Sequence, residues 1–235
     1  RLVDISTFRV LAAASGEVSA ADTTSKYRRE KPREDAEYPS YLSVFGGVTM
    51  LEYSAKLSDS AVFGKKIKSQ MEQGYLLGLS VAPRNSGFVA SRYEFFMMRQ
   101  KFDGYAGSDE KLKSTLWNIA WMPMIRVPLW RYMEFLSSFT HLYAGIPVNL
   151  GYNQAEYYDS VQNKKGSSTG FGFGFHLAGG LSVALGDSVS LFAEYRYMPV
   201  QASWSARSIK LDGERYALGE DFHGHCVYAG LSLMP

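Results

Sequence analysis

GFGFGFHLAGGLSVALGDSVSLFAEYRYMPV, residues 170–200, holds two strict alternations joined by a short Gly-Asp-Ser turn. On the first arm Phe171, Phe173, Phe175, Leu177, Leu181, Val183 and Leu185 share one face, while Gly172, Gly174, His176, Ala178, Ser182 and Ala184 share the other. On the second, Val189, Leu191, Ala193, Tyr195 and Tyr197 fall on one face and Ser190, Phe192, Glu194, Arg196 and Met198 on the other. Alternation with period two reads as strand, and two such runs across a tight turn read as a β-hairpin. A first arm of roughly 15 residues, at about 3.3 Å each, exceeds the usual globular strand of about 5 or 6 residues. That length suits a tilted strand that crosses a bilayer and projects beyond it. Bulky apolar groups on one side and Gly, Ala and Ser on the other fit a narrow closed barrel, with lipid outside and little room inside. A soluble ligand-binding β-barrel is the competing reading of the same hairpin.

Composition agrees with the membrane reading. A net charge of +2, with 20% of side chains charged, gives no bulk attraction to nucleic acid. No apolar run reaches the length of a transmembrane helix, and alternation keeps the mean hydropathy at −0.17, so a barrel would escape hydropathy scanning. Sixteen Tyr, 14 Phe and 4 Trp accompany 22 Gly, which suits aromatic belts around a crowded lumen. The single cysteine, Cys226, reads as an inert buried thiol on an inward strand face. The segment VLAAASGEVSA is too short in its apolar part for a secretory signal.

Residues 1–37 lack alternation, and SKYRREKPREDAEYP is charged with two prolines, so a polar N-terminal periplasmic arm is expected there. Residues 38–235 are expected to form the barrel. Its first strand is predicted from Tyr38 to about Leu51, with its facing left open by the spacing. GYLLGLSVA gives the second strand, and FVASRYEFFMMRQKF the third, with Arg92, Glu94, Met98 and Gln100 facing inward. TLWNIAWMPMIRVP gives the fourth, with Asn118, Ala120 and Arg126 inward; Pro123 and Pro128 predict a bulge or an early end, since proline cannot donate to a ladder. Residues 129–140 read as an interfacial segment or a further hairpin. HLYAGIPVNLGY is the fifth strand, the opening hairpin is the sixth and seventh, and FHGHCVYAGLSLM is the eighth. The connections after strands one, three, five and seven are expected to be long and polar, and those after two and six short. That segregation is the outer-membrane arrangement, with long extracellular loops, short periplasmic turns and both termini periplasmic.

Taken together, YLSVFGGV, GYLLGLSVA, LYAGIPVNLGY, LSVALGDSVSLFAEYRY and CVYAGLSLM resemble the small eight-stranded outer-membrane barrels of the opacity-protein, OmpW and OmpA-domain type, a porin-like β-barrel domain. The resemblance covers residues 38–235 and is sharpest where Glu194 and Arg196 stand two apart after the Gly-Asp turn. Met234 and Pro235 stand where that family carries a terminal aromatic. The resemblance implies a bacterial outer-membrane, all-β, eight-stranded antiparallel up-and-down transmembrane barrel. Outer-membrane lipid and the barrel-assembly machinery would be its partners, and it would be a monomer.

Two groups of residues are candidate sites. Arg92, Glu94, Arg126, Glu194 and Arg196 concentrate charge on inward faces, and an eight-stranded lumen is narrow enough for them to pair across it. Lys65, Lys66, Lys68, Arg99 and Lys101 lie near the long-loop end, where the phosphates of lipopolysaccharide would be met. No cofactor or metal is implied: His176 faces inward, His223 and His225 lie near the outer rim, and two ligands do not make a structural zinc site. Lipid A deacylases of similar barrel size use a His and a Ser, and no His-x-Ser motif is present to carry that role over. The expected function is non-enzymatic and carried by the surface loops, through adhesion to a host or cell-surface ligand or through envelope integrity. The competing readings are a pore for small solutes or hydrophobic compounds and a lipid-modifying enzyme.

Overall fold

The computed structural model describes residues 38–57, 67–68, 71–85, 87–103, 111–133, 135–137, 139–159, 164–186, 188–205, 209–211, 214–216 and 218–234. The expected N-terminal arm lies outside them. Among the described residues the wall strands are β1 (Tyr41–Leu57), β2 (Glu72–Ala82), β3 (Val89–Asp103), β4 (Lys111–Pro128), β5 in two segments (His141–Gly145 and Val148–Asp159), β6 (Lys164–Ala184), β7 (Val189–Ser205) and β8 (Leu218–Leu233). Each pairs antiparallel with the next, and β8 pairs with β1 from Leu42↔Leu233 to Leu57↔Leu218. The sheet therefore closes on itself as an up-and-down barrel, as the alternation predicts.

The register fixes the shape. Following partners around the wall from Val44 passes Leu79, Phe95, Ile119, Leu150, Phe173, Ala202 and Asp221, and returns to β1 at Ser54. The circuit thus climbs from residue 44 to residue 54, a shear of ten residues over eight strands. With a rise of about 3.3 Å and a strand spacing of about 4.8 Å, that shear tilts the strands by roughly 40°. The same circuit carries a continuous apolar row: Val44, Leu79, Phe95, Ile119, Leu150 and Phe173 all face outward and are exposed. An apolar belt of this extent is not a surface for water, and the strands that carry it are long enough to span hydrocarbon. The barrel is a transmembrane one, and the soluble reading is excluded.

The structure corrects several boundaries. Strands β5 and β6 stay paired as far as Asp159↔Lys164, so the segment expected to be a long loop after the fifth strand is mostly wall. Strand β7 likewise continues past Val200 to Ser205, and β1 past Leu51 to Leu57. These extensions are polar because both of their faces lie beyond the hydrocarbon. The facing of β1 is now fixed, with Ser43, Phe45, Thr49 and Leu51 buried inside. Residues 129–140 add no hairpin among the described residues; a 3-10 turn, Leu129–Arg131, begins the connection from Pro128 back to its paired neighbour His141.

Pro123 does not bulge β4, which runs unbroken to Pro128. The irregularity falls on its neighbour instead. The Ile146 N–H donates to the Pro123 carbonyl at 3.1 Å, Pro123 has no N–H to return, and β5 is interrupted there at Ile146–Pro147. A second irregularity sits at Pro199, where the register shifts between Phe175 and Leu177 on β6 and between Phe222 and Gly224 on β8. Gly224 takes φ +150 at that shift, a conformation that L side chains rarely adopt.

Gly47 marks a close approach of β1 and β8. A Cβ placed there would lie 2.1 Å from the Val227 carbonyl oxygen and 2.5 Å from the Tyr228 Cα, both backbone atoms that cannot yield. Gly186, in the turn between β6 and β7, has nothing within 4 Å of such a Cβ. Gly47→Ala should lower stability by about 1–3 kcal/mol and reduce the folded fraction seen as heat-dependent gel mobility. Gly186→Ala should leave both unchanged.

Candidate functional site

Alternation places Arg92 and Glu94 on the inner face of β3, and Glu194 and Arg196 on the inner face of β7. These strands stand four apart whichever way the ring is followed, so the two pairs confront each other across the lumen. The four side chains close a square. Arg92 Nε donates to Glu94 Oε1 at 2.7 Å, and Arg196 Nε donates to Glu194 Oε1 at 2.6 Å, each along its own strand. Across the lumen Arg196 Nη2 donates to Glu94 Oε1 at 2.6 Å, and Arg92 Nη2 donates to Glu194 Oε2. All four residues are at most 5% exposed, and their charges sum to zero. Burial of such a set is tolerable only because each charge is met by opposite charge and by hydrogen bonds.

The surrounding strands complete the square. Tyr143 from β5 donates its hydroxyl to Glu194 Oε2 at 2.7 Å, and the Tyr228 hydroxyl from β8 donates to Glu194 Oε1. The Arg92 guanidinium lies over the rings of Tyr143 and Phe192, at 5.3 and 5.8 Å. That of Arg196 lies over Tyr228 and Phe96, at 5.0 and 5.6 Å. Glu194, held by two arginines and two tyrosines, is the hub.

Arg126 departs from the expected network. It faces inward and is fully buried, but its guanidinium forms no ion pair or hydrogen bond with any described residue. Its position on β4 lies four residues beyond Met122, the residue paired with Arg92, and so nearer the short-turn end. The carboxylates of the square are already engaged by Arg92 and Arg196. Arg126 Cζ instead lies over the rings of Tyr38 and Tyr41, at 4.8 and 5.1 Å. Burial holds the Tyr38 phenol above its ordinary range, so it stays neutral and supplies no countercharge.

On the long-loop side of the square comes an amide layer. Asn149 Nδ2 donates to Asn118 Oδ1 at 2.9 Å and to Gln201 Oε1 at 2.6 Å, and His176 lies 3.3 Å from the same Gln201 oxygen. Beyond it Leu51, Leu76, Met98, Leu116, Met198, Phe222 and Cys226 are buried in the lumen, together with two polar pairs, Thr49 with Gln100 at 2.6 Å and Ser114 with Asn153 at 2.8 Å. The sequence reading put Met98, Phe192 and Met198 on the faces that carry the inward charges but drew no apolar plug from them. The signal was present, since Leu76, Phe96, Met98 and Phe192 share strand parity with Gly78, Glu94, Gln100 and Glu194.

Of the basic residues near the long loops, Arg99 and Lys101 are exposed on the outer face of β3. Lys101 pairs directly with Lys113 of β4, which is also exposed. Lys65 and Lys66 lie outside the described residues, and Lys68 is described only by its backbone pairing with Ser54. His225 sits on the outer wall, where its Nδ1 is 2.6 Å from the Tyr195 hydroxyl.

No family model and no curated protein sequence matches the chain. Solved structures with the same barrel type do. The attachment invasion locus protein Ail of Yersinia pestis, in complex with a heparin analogue, aligns at a TM-score of 0.40 with 14% identity, over 83% of this chain and 99% of its own. The outer membrane protein OprG from Pseudomonas aeruginosa aligns at 0.46 with 15% identity, over 85% and 97%. The outer membrane protease OmpT from Escherichia coli aligns at 0.42 with 6% identity, over 85% and 98%.

Removing one member of the square strands its partner. Glu194→Gln or Arg92→Met should each cost about 3–5 kcal/mol, read as a lowered urea midpoint for the barrel refolded in lipid. Arg92→Met combined with Glu194→Leu should cost much less than the two together, because Glu94 and Arg196 remain paired at 2.6 Å. Unmoved midpoints in both single variants would mean that these charges reach water.

Proposed function

We propose that this is a non-enzymatic, non-conducting outer-membrane barrel that acts through contacts made at its long-loop end. The observation that carries the reading is the filled lumen. A neutral square of four buried charges, an amide layer and a cluster of buried apolar side chains lie in series along the barrel axis. An ion would have to part the square and then cross a lumen filled with buried side chains. The reading puts the short turns and both termini on the periplasmic side, which the pairing of Leu42 with Leu233 at the short-turn end supports.

Planar-bilayer recordings of the refolded protein should show no stable conductance. A steady channel abolished by Glu194→Gln would favour the pore instead. Replacing the polar stretch 58–66 by a short turn should abolish attachment of expressing cells to a host or cell surface while leaving the heat-dependent gel shift intact.

The outer basic residues support a second contact, with lipopolysaccharide phosphate. Lys101 and Lys113 are like charges set directly across a strand pair, Glu156 of β5 faces only Lys113 of the two, and Arg99 adds a further exposed cation on the same side of β3 as Lys101. Arg99→Gln with Lys101→Gln should reduce lipopolysaccharide retention through purification, and the residual binding should lose its sensitivity to salt.

A further inference from the structure

The charges of the lumen do not balance. Arg92, Glu94, Glu194 and Arg196 neutralise one another, which leaves Arg126, fully buried, with none of its Nε, Nη1 and Nη2 atoms hydrogen-bonded. A guanidinium does not give up its proton inside a protein. It therefore remains charged, and a buried charge without an anion is among the most unfavourable arrangements a fold can hold.

What surrounds it is a set of donors. The contacts with the Tyr38 and Tyr41 rings stabilise the cation without accepting its N–H bonds. The Tyr41 hydroxyl is also buried without a partner, and the buried Tyr38 hydroxyl has at most the Trp130 indole N–H, which can only donate to it and leaves its own O–H free. The carboxylates of the square are engaged with Arg92 and Arg196. Several unpaired donors gathered around one uncompensated positive charge describe the complement of a single oxyanion.

We propose that Arg126, with the Tyr38 and Tyr41 hydroxyls, forms a buried oxyanion site at the short-turn mouth of the barrel, taking one carboxylate or phosphate group. The ligand is a dissolved anion of that class.

The test uses the full chain refolded in lipid, with thermal midpoints measured at constant ionic strength as inorganic phosphate replaces chloride. If the ligand is a dissolved oxyanion, the midpoint rises saturably with phosphate, and Arg126→Gln abolishes the rise while Arg126→Lys retains part of it. Should phosphate leave the parent midpoint unmoved, or move the Arg126→Gln variant as much as the parent, the proposal is overturned.

Discussion

Hydrocarbon offers no hydrogen-bond partner to a peptide group, so every backbone N–H and C=O of a spanning sheet must be met by another strand. Closure between β1 and β8 satisfies that demand, and most of what distinguishes this molecule follows from it. Eight strands with a shear of ten enclose a lumen only a few side chains wide. Whatever faces inward must then pack against the opposite wall. Residues on β3 and β7, about a hundred positions apart in sequence, become direct neighbours for that reason alone.

The confined lumen sets two different solutions in series. In the short-turn half, charge is accommodated by pairing, with Glu194 placed so that four groups converge on it. In the long-loop half the interior resembles that of a soluble protein, with Leu, Met and Phe in mutual contact and the few polar side chains among them hydrogen-bonded to one another. The barrel is thus apolar outside, held by ion pairs in one inner half and largely by apolar packing in the other. Its rigidity comes from both, and it supplies a fixed rim from which the polar connections project.

How far this was legible from the sequence depends on what each face must distinguish. On β3, β4, β6 and β7, polar or small residues alternate with large apolar ones, so parity alone assigned Arg92, Glu94, Glu194 and Arg196 to the lumen and Tyr93, Phe95 and Tyr195 to lipid. On β1, Val44 and Phe45 are adjacent and both bulky, and no pattern rule separates them. The apolar plug was hidden for a related reason: a phenylalanine that faces lipid and one that faces a packed lumen look the same in one dimension. Strand lengths were underestimated wherever the wall projects beyond the bilayer, since residues such as Lys164 and Asp159 are paired as strand but carry the composition of a loop. The solitary position of Arg126 depends on the height at which β4 meets its neighbours, a property of the shear that no single strand encodes.

The break in β5 opposite Pro123 bears on how the wall finds its alignment. Ladders of alternating apolar residues are prone to slip by two positions, because such a slip preserves which side chains face lipid. Pro123 and Pro147 each lack a donor, and the interruption at Ile146–Pro147 lets the native alignment accommodate both deficits at one height. Sliding β5 along β4 would carry Pro147 away from Pro123 and leave a carbonyl on each side stranded in lipid without a donor, a penalty incurred twice. Two imino acids that look like defects in the ladder therefore serve as a registration mark, disfavouring misaligned closures that the apolar pattern alone would accept.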